Sequence, residues 1–114
     1  MKTTIPIKLS IEELIINQRT SENILVNDVV LLKSDINYTT FHLQCGSEKV
    51  VAHSIKFFEP FLETHGFLRV HRSFMVNPNY VKKYNQEHKS LTMKNGQKAN
   101  ISRRRKHTVK DWVE

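Results

Sequence analysis

Four consecutive cations, Arg103-Arg104-Arg105-Lys106, follow directly on Ser102 and are the residues whose type and spacing speak most plainly of chemistry. Wrapped on a helix they would fan out by about 100° per residue, so one or two could enter a groove while the others meet flanking phosphates. Arginine suits both tasks, because its planar fork pairs bidentately with guanine O6 and N7, which a lysine point charge does less selectively. Four positive groups at a helix N-terminus also oppose the macrodipole, a mismatch of roughly a few tenths of a kcal/mol or more that bound phosphate would relieve. The plain alternative is a solvated run of charge.

Other constellations fall short of chemistry. The six histidines form no His-x-x-x-His pair, and the single cysteine, Cys45, has no Cys-x-x-Cys partner and cannot form an internal disulfide. No metal site is expected. His71-Arg72-Ser73 holds a base and a hydroxyl, but a nucleophilic site also needs an orienting acid, and acids are scarce in this part of the chain. Ser73 reads better as a turn or cap residue. Three widely spaced glycines build no phosphate-cradling loop, and no carboxylates are paired for acid–base work. The sequence therefore predicts no catalytic residue, no cofactor and no enzymatic activity.

The distribution of charge strengthens the reading of the arginine run. Residues 1–68 hold six basic and eight acidic groups, whereas residues 69–110 hold twelve basic groups and the single acid Glu87. A field segregated in this way attracts a polyanion and supplies salt-sensitive, non-specific affinity through counterion release. At 114 residues and 39% hydrophobic content the chain has the size and apolar material of one globular domain. No stretch approaches the roughly 18 apolar residues of a membrane helix, and the N-terminus lacks a signal-peptide apolar run, so a cytoplasmic location without membrane insertion is expected.

Short β segments must carry these residues. Ile24-Leu25-Val26 and Val29-Val30-Leu31-Leu32 flank the polar pair Asn27-Asp28, and the second run reads as a well-buried strand. Alternation from Tyr38 to Leu43 turns Phe41 and Leu43 to the core, and Gly46-Ser47 makes a hairpin with Lys49-Val50-Val51-Ala52. Ser54 can cap a helix to about Thr64 with Phe57, Phe58, Phe61 and Leu62 as its apolar stripe and Gly66 as its stop, although Pro60 predicts a kink or a late start. Leu68 and Val70 point inward, with Arg69 and His71 on the other face. Tyr80-Val81, Ser90–Lys94 and Gln97–Ile101 are further strands, the last two joined at Asn95-Gly96, where both residues tolerate positive φ. Ser102 can cap a short C-terminal helix over Arg103–Val113 that docks Val109, Trp112 and Val113. Near the N-terminus Ile5, Ile7 and Leu9 alternate like a strand, whereas Ile11, Leu14, Ile15 and Ile16 come closer to helical spacing.

The run Phe67-Leu68-Arg69-Val70-His71-Arg72-Ser73-Phe74-Met75-Val76-Asn77-Pro78 resembles the LytTR DNA-binding domain, whose hallmark is Phe-x-Arg-x-His-Arg-Ser-aromatic-x-Val-Asn. Ser34-Asp35-Ile36-Asn37-Tyr38-Thr39 is similar to that family's acid/Asn-Tyr loop, and Asn95-Gly96 with Ile101-Ser102-Arg103-Arg104 to its closing elements. The likeness covers about residues 23–112. The resemblance implies a mainly β, elongated antiparallel fold with one short internal helix and a short C-terminal helix, in which loops read the promoter repeats of double-stranded DNA. It divides the chain into an N-terminal extension over 1–22, whose packing is left open, and a DNA-binding domain over 23–114. By position, the reading elements it implies are Asn37 and Tyr38; His71, Arg72 and Ser73 with Asn77; and Arg103, Arg104 and Arg105, to which the charge run adds Lys106. Within the resemblance, His71 is also fit to brace its loop, Asn77 to turn the backbone before Pro78, and Tyr38 to pack. Pro60 departs from the family pattern. No segment resembles the receiver domain that often precedes such a module, which points to control through expression level or a separately encoded regulatory protein.

The expectation from sequence is thus a response-regulator-like output domain that binds double-stranded DNA, with a second copy on repeated half-sites. A non-catalytic basic β-rich module binding an acidic protein partner is the competing reading.

Overall fold

The computed structural model of the chain describes residues 13–17, 22–106 and 109. Its organising element is the strand Val29–Asp35, β3, whose first four residues are at most 1% exposed. A strand buried on both faces needs apolar residues in succession rather than in alternation. A bulge between Val29 and Leu31, in the pairing with β4 (Tyr38–Leu43), lets Val30 and Leu31 join one hydrophobic cluster while Val29 and Leu32 join another.

Burial on both faces requires a cover on each side. With β5 (Glu48–Val51), β6 (Leu68–His71) and β7 (Phe74–Val76), the strands β3 and β4 form a five-stranded antiparallel sheet in the order β5-β4-β3-β7-β6. The helix Ile55–Glu63 covers one face, laying Ile55, Phe58 and Leu62 against the cluster of Val29, Leu32, Phe41 and Met75. Phe41 and Phe58 meet edge to face with ring centroids 5.0 Å apart, a preferred aromatic geometry. Over the other face lies a three-stranded sheet of β8 (Val81–Asn85), β9 (Ser90–Met93) and β10 (Lys98–Asn100), which packs Leu91, Met93 and Ala99 against Val30, Leu31, Val70 and Val76. The fold is mainly antiparallel β with one internal helix among the described residues, as the resemblance implied; the C-terminal helix expected over Arg103–Val113 opens instead as a 3₁₀ turn, Arg103–Arg105, and most of its span lies outside the described residues.

Several local expectations meet their physical correction here. Glu13–Asn17 is a strand, β1, paired antiparallel with β2 (Glu22–Leu25) so that Leu14 faces Ile24 and Ile16 enters the helix-side core. Pairing with a neighbouring chain segment outweighs the nearly helical spacing of its apolar residues. The alternation at Ile5, Ile7 and Leu9 falls outside the described residues, as do Trp112 and Val113. In the helix, Ile55, Phe58 and Leu62 make the buried stripe and Phe57 is 63% exposed, its ring stacked on His53 at 4.2 Å. Ser54 occupies the cap position without a side-chain hydrogen bond. Pro60 sits inside the helix without ending it, and both Pro60 and Lys56, whose carbonyl loses its partner four residues on, are exposed. The close is as expected: Gly66 takes φ +87° and Phe67 N–H reaches back to the Leu62 carbonyl.

Two hairpins share one turn. Gly46 N–H donates to Leu43 O and Leu43 N–H to Ser47 O, and the same pattern links Met93, Gly96 and Gln97. Only the glycine of each turn has positive φ, so Asn95 keeps an ordinary backbone and the turn is of the three-residue type with a bulge rather than a two-residue one.

Candidate nucleic-acid interface

Three segments carry the residues singled out in the sequence, and hydrogen bonds of the backbone bring them together. The β3–β4 loop is two residues long, Ile36-Asn37, closed by the pairing of Asp35 with Tyr38. The β6–β7 turn, Arg72-Ser73, leaves the sheet at the same end, because Phe74 pairs with Lys33 on one side and His71 on the other. Ser34 N–H donates to the Ser73 carbonyl at 2.8 Å and so fixes the two turns side by side. Past the edge strand β6, Ser102 N–H donates to the Val70 carbonyl at 2.8 Å and sets the third segment, the 3₁₀ turn Arg103–Arg105, against that edge.

The cations of these segments divide into exposed and engaged groups. Arg72, Arg103 and Arg104 are exposed, and among the described residues none of their side chains has a hydrogen-bond or ion-pair partner. Arg105 turns back instead, donating from Nη1 to the Arg69 carbonyl at 3.0 Å, and its amide is received by the Ser102 hydroxyl at 3.2 Å, the expected cap. Lys106 is half-buried in the first helical position after the turn. Of the four-cation run, two members therefore face solvent without a partner and one braces the fold.

Asn37 is exposed and Tyr38 is 52% exposed, so both are available at the loop. Ser73 is half-buried and donates its amide to His71 Nδ1 at 3.0 Å. A backbone N–H can only donate, so Nδ1 is unprotonated and the neutral ring carries its proton on Nε2. Desolvation, then the nearby guanidinium groups of Arg72 and Arg69, hold the His71 pKa below its ordinary 6.5. The ring also meets Phe74 edge on at 5.8 Å.

Asn77 is different. It is 2% exposed, its Nδ2 donates to the Val29 carbonyl at 2.9 Å, and its Oδ1 accepts from Asn79 N–H at 3.1 Å. With both ends of its side chain engaged inside the protein, Asn77 fits the other of its two expectations, a residue that turns the chain into Pro78–Tyr80, better than a DNA contact.

The residue that sequence reasoning missed is Arg69. The alternation puts it on the face opposite Leu68 and Val70, yet its side chain is only 12% exposed and its guanidinium spans three elements. Nε donates to the His71 carbonyl at 2.9 Å, Nη2 to the Arg72 carbonyl at 2.7 Å, and Nη1 to Glu59 Oε1 of the helix at 2.6 Å. Its own carbonyl receives Arg105. One arginine thus fixes the turn that carries Arg72, ties it to the helix and meets the turn that carries Arg103 and Arg104. Its presence in the Phe-x-Arg element was the only signal, since nothing in the spacing points to Glu59.

No group of three or more His, Cys, Asp or Glu side chains suited to a metal occurs among the described residues, nor does any helix there have the length and apolarity to cross a membrane. Fold and site together define a small antiparallel β domain that gathers arginine-bearing loops at one end of a sheet. The LytTr DNA-binding domain family model matches residues 19–114, and the chain belongs to that family. Among solved structures it is similar to the LytTr DNA-binding domain of a methyl-accepting/DNA response regulator from Bacillus cereus, with a TM-score of 0.70 and 25% identity over 81% of this chain and 86% of that one. A comparison with curated proteins gives no match. The family is one of DNA-binding domains rather than of catalysts.

Proposed function

We propose that the chain is a cytoplasmic regulator of transcription that recognises double-stranded DNA by sequence, reading repeated promoter half-sites through its three loops. The observation that supports this best is the juxtaposition of Arg72 with the β3–β4 loop and of Arg103 and Arg104 with β6, all three arginines exposed and unpartnered among the described residues. Arg72 and one of the pair Arg103 and Arg104 read guanine edges in this scheme, while the other arginine, Lys106 and the Nε2–H of His71 meet phosphate. Asn37 and Tyr38 serve base and sugar or phosphate respectively, and Ser73 holds the turn that presents Arg72. Two copies on adjacent half-sites need only weak mutual contact, because DNA raises their effective concentration. No catalytic step is assigned.

Selection from a randomised duplex pool, followed by a salt titration on the enriched and scrambled duplexes, tests the proposal. Enrichment of a repeated motif whose binding outlasts that of the scrambled duplex as salt rises is the expected result. Parallel loss of both would leave a basic surface without readout and return the acidic protein partner as the better reading.

A further inference from the structure

Ile36 stands out from every other large apolar side chain among the described residues. It is 93% exposed at the tip of the two-residue β3–β4 loop, and its φ is +44°. A β-branched residue in the left-handed region is a strained outlier, and a loop with positive φ at its first position ordinarily takes glycine there. The chain keeps a strained, water-exposed isoleucine where glycine would relieve the strain, and nothing in its own core uses that side chain.

The loop around it is equally particular in charge. Asp35-Ile36-Asn37-Tyr38 holds one acid and no cation, although it lies beside the turn of Arg72 in the basic end of the molecule. A loop that gripped the DNA backbone would carry positive charge, whereas an apolar tip followed by a carboxamide is the chemistry of base edges. Asparagine pairs with adenine N6 and N7, and the only apolar group in the major groove is the thymine 5-methyl. We propose that Ile36 is a specificity-determining residue that packs on a thymine methyl in the major groove, next to the base read by Asn37, so that this loop selects an A·T-containing step. The strain holds the side chain outward before DNA arrives. This assignment rests on the DNA-reading function proposed above.

The test uses the duplex enriched by selection, with each thymine replaced singly by deoxyuridine, which removes the methyl and keeps the pairing. One replacement is expected to weaken the wild-type protein about fourfold, the equivalent of about 0.8 kcal/mol for one buried methyl-sized group. Ile36→Gly is expected to bind the unmodified duplex at least fourfold more weakly, to lose its response to that one replacement, and to melt no lower than wild type because the strain is gone. Ile36→Asn, which tolerates the same backbone without glycine's freedom, should lose the response as well. Unchanged affinity and an unchanged replacement profile in both variants would overturn the role of Ile36 while leaving sequence-specific binding in place. Wild-type protein that binds enriched and scrambled duplexes alike would instead remove the DNA-reading function, and this assignment with it.

Discussion

Two turns leave the same end of the five-stranded sheet, and they are held in opposite ways. The β6–β7 turn is tied from outside: Arg69 donates to the carbonyls of His71 and Arg72, and Glu59 on the helix anchors the guanidinium. The β3–β4 loop has no such side-chain brace among the described residues; the pairing of Asp35 with Tyr38 and the Ser34 N–H bond to the Ser73 carbonyl hold it, with the strain left at Ile36. Both connections are two residues long, but a bulge between Arg69 and His71 interrupts the β6–β7 pairing just before its turn, so the backbone under Arg72 takes its hold from a remote group, whereas the β3–β4 pairing runs unbroken from Leu31 to its loop. The lesson is that presenting Arg72 depends on a side chain anchored in the helix, and presenting Ile36 and Asn37 depends on backbone hydrogen bonds.

The sharpest way to break the comparison is Arg69→Ala. It strips both carbonyls of their partners and leaves Glu59, 19% exposed, without its counter-charge, so a loss of about 2–4 kcal/mol in urea unfolding is expected, together with weaker specific DNA binding. Arg69→Lys should recover the ion pair but not the fork to two carbonyls, and so restore more stability than specific affinity. A variant as stable as wild type would show that the brace contributes nothing. Asn77→Ala comes next. Removing the Nδ2 donor leaves the buried Val29 carbonyl with one bond fewer and removes the Asn79 turn contact, an expected cost of about 1–3 kcal/mol in the same measurement, with base preference unchanged in the fraction that remains folded.

Arg72→Ala separates presentation from contact. The side chain is exposed and unpartnered among the described residues, so stability should move by less than about 0.5 kcal/mol, while affinity for the enriched duplex falls by about 1–3 kcal/mol and one base position relaxes. Lys82→Ala, on an exposed position of β8, should weaken all duplexes alike and flatten the salt dependence. Equal losses on enriched and scrambled DNA from both variants would place Arg72 on phosphate rather than on a base.

What the sequence made legible was local. Val-Val-Leu-Leu announced a strand covered on both sides, Gly46 and Gly96 marked their turns, and the dense Phe67–Pro78 run located the turn of Arg72. What it concealed was set by distance along the chain. Glu59 and Arg69 are ten residues apart on a helix and a strand, and only the close packing of helix over sheet lets them meet. Phe57 looked like core because it is aromatic and helical, but the stripe at positions 55, 58 and 62 already fills the contact, and Phe57 stacks on His53 outside it. Asn77 matched the motif as well as any base reader would, and only the fold shows it buried with its amide on the Val29 carbonyl.

The smallest expected effect is one of pH, and it bears on the braced turn alone. His71 Nδ1 accepts the Ser73 amide, so protonating the ring forces that bond open beside the cations of Arg72 and Arg69. Desolvation, and after it the cations of Arg72 and Arg69, hold the folded-state pKa below the 6.5 of the ordinary residue, to which unfolding returns it. Between those values the unfolded chain binds more protons than the folded one, and stability rises with pH. His71 thus contributes its full share above about pH 6.5, and that share is lost as pH falls through the folded value. Because the ring is partly exposed the slope will be shallow, and His42, whose pKa burial also lowers, adds to it in the same direction. Urea unfolding of wild type and His71→Gln from pH 7.5 down to 5 isolates the contribution: the two curves should converge on acidification. A constant gap across that range would mean that the Ser73 bond survives protonation and that the turn does not depend on it.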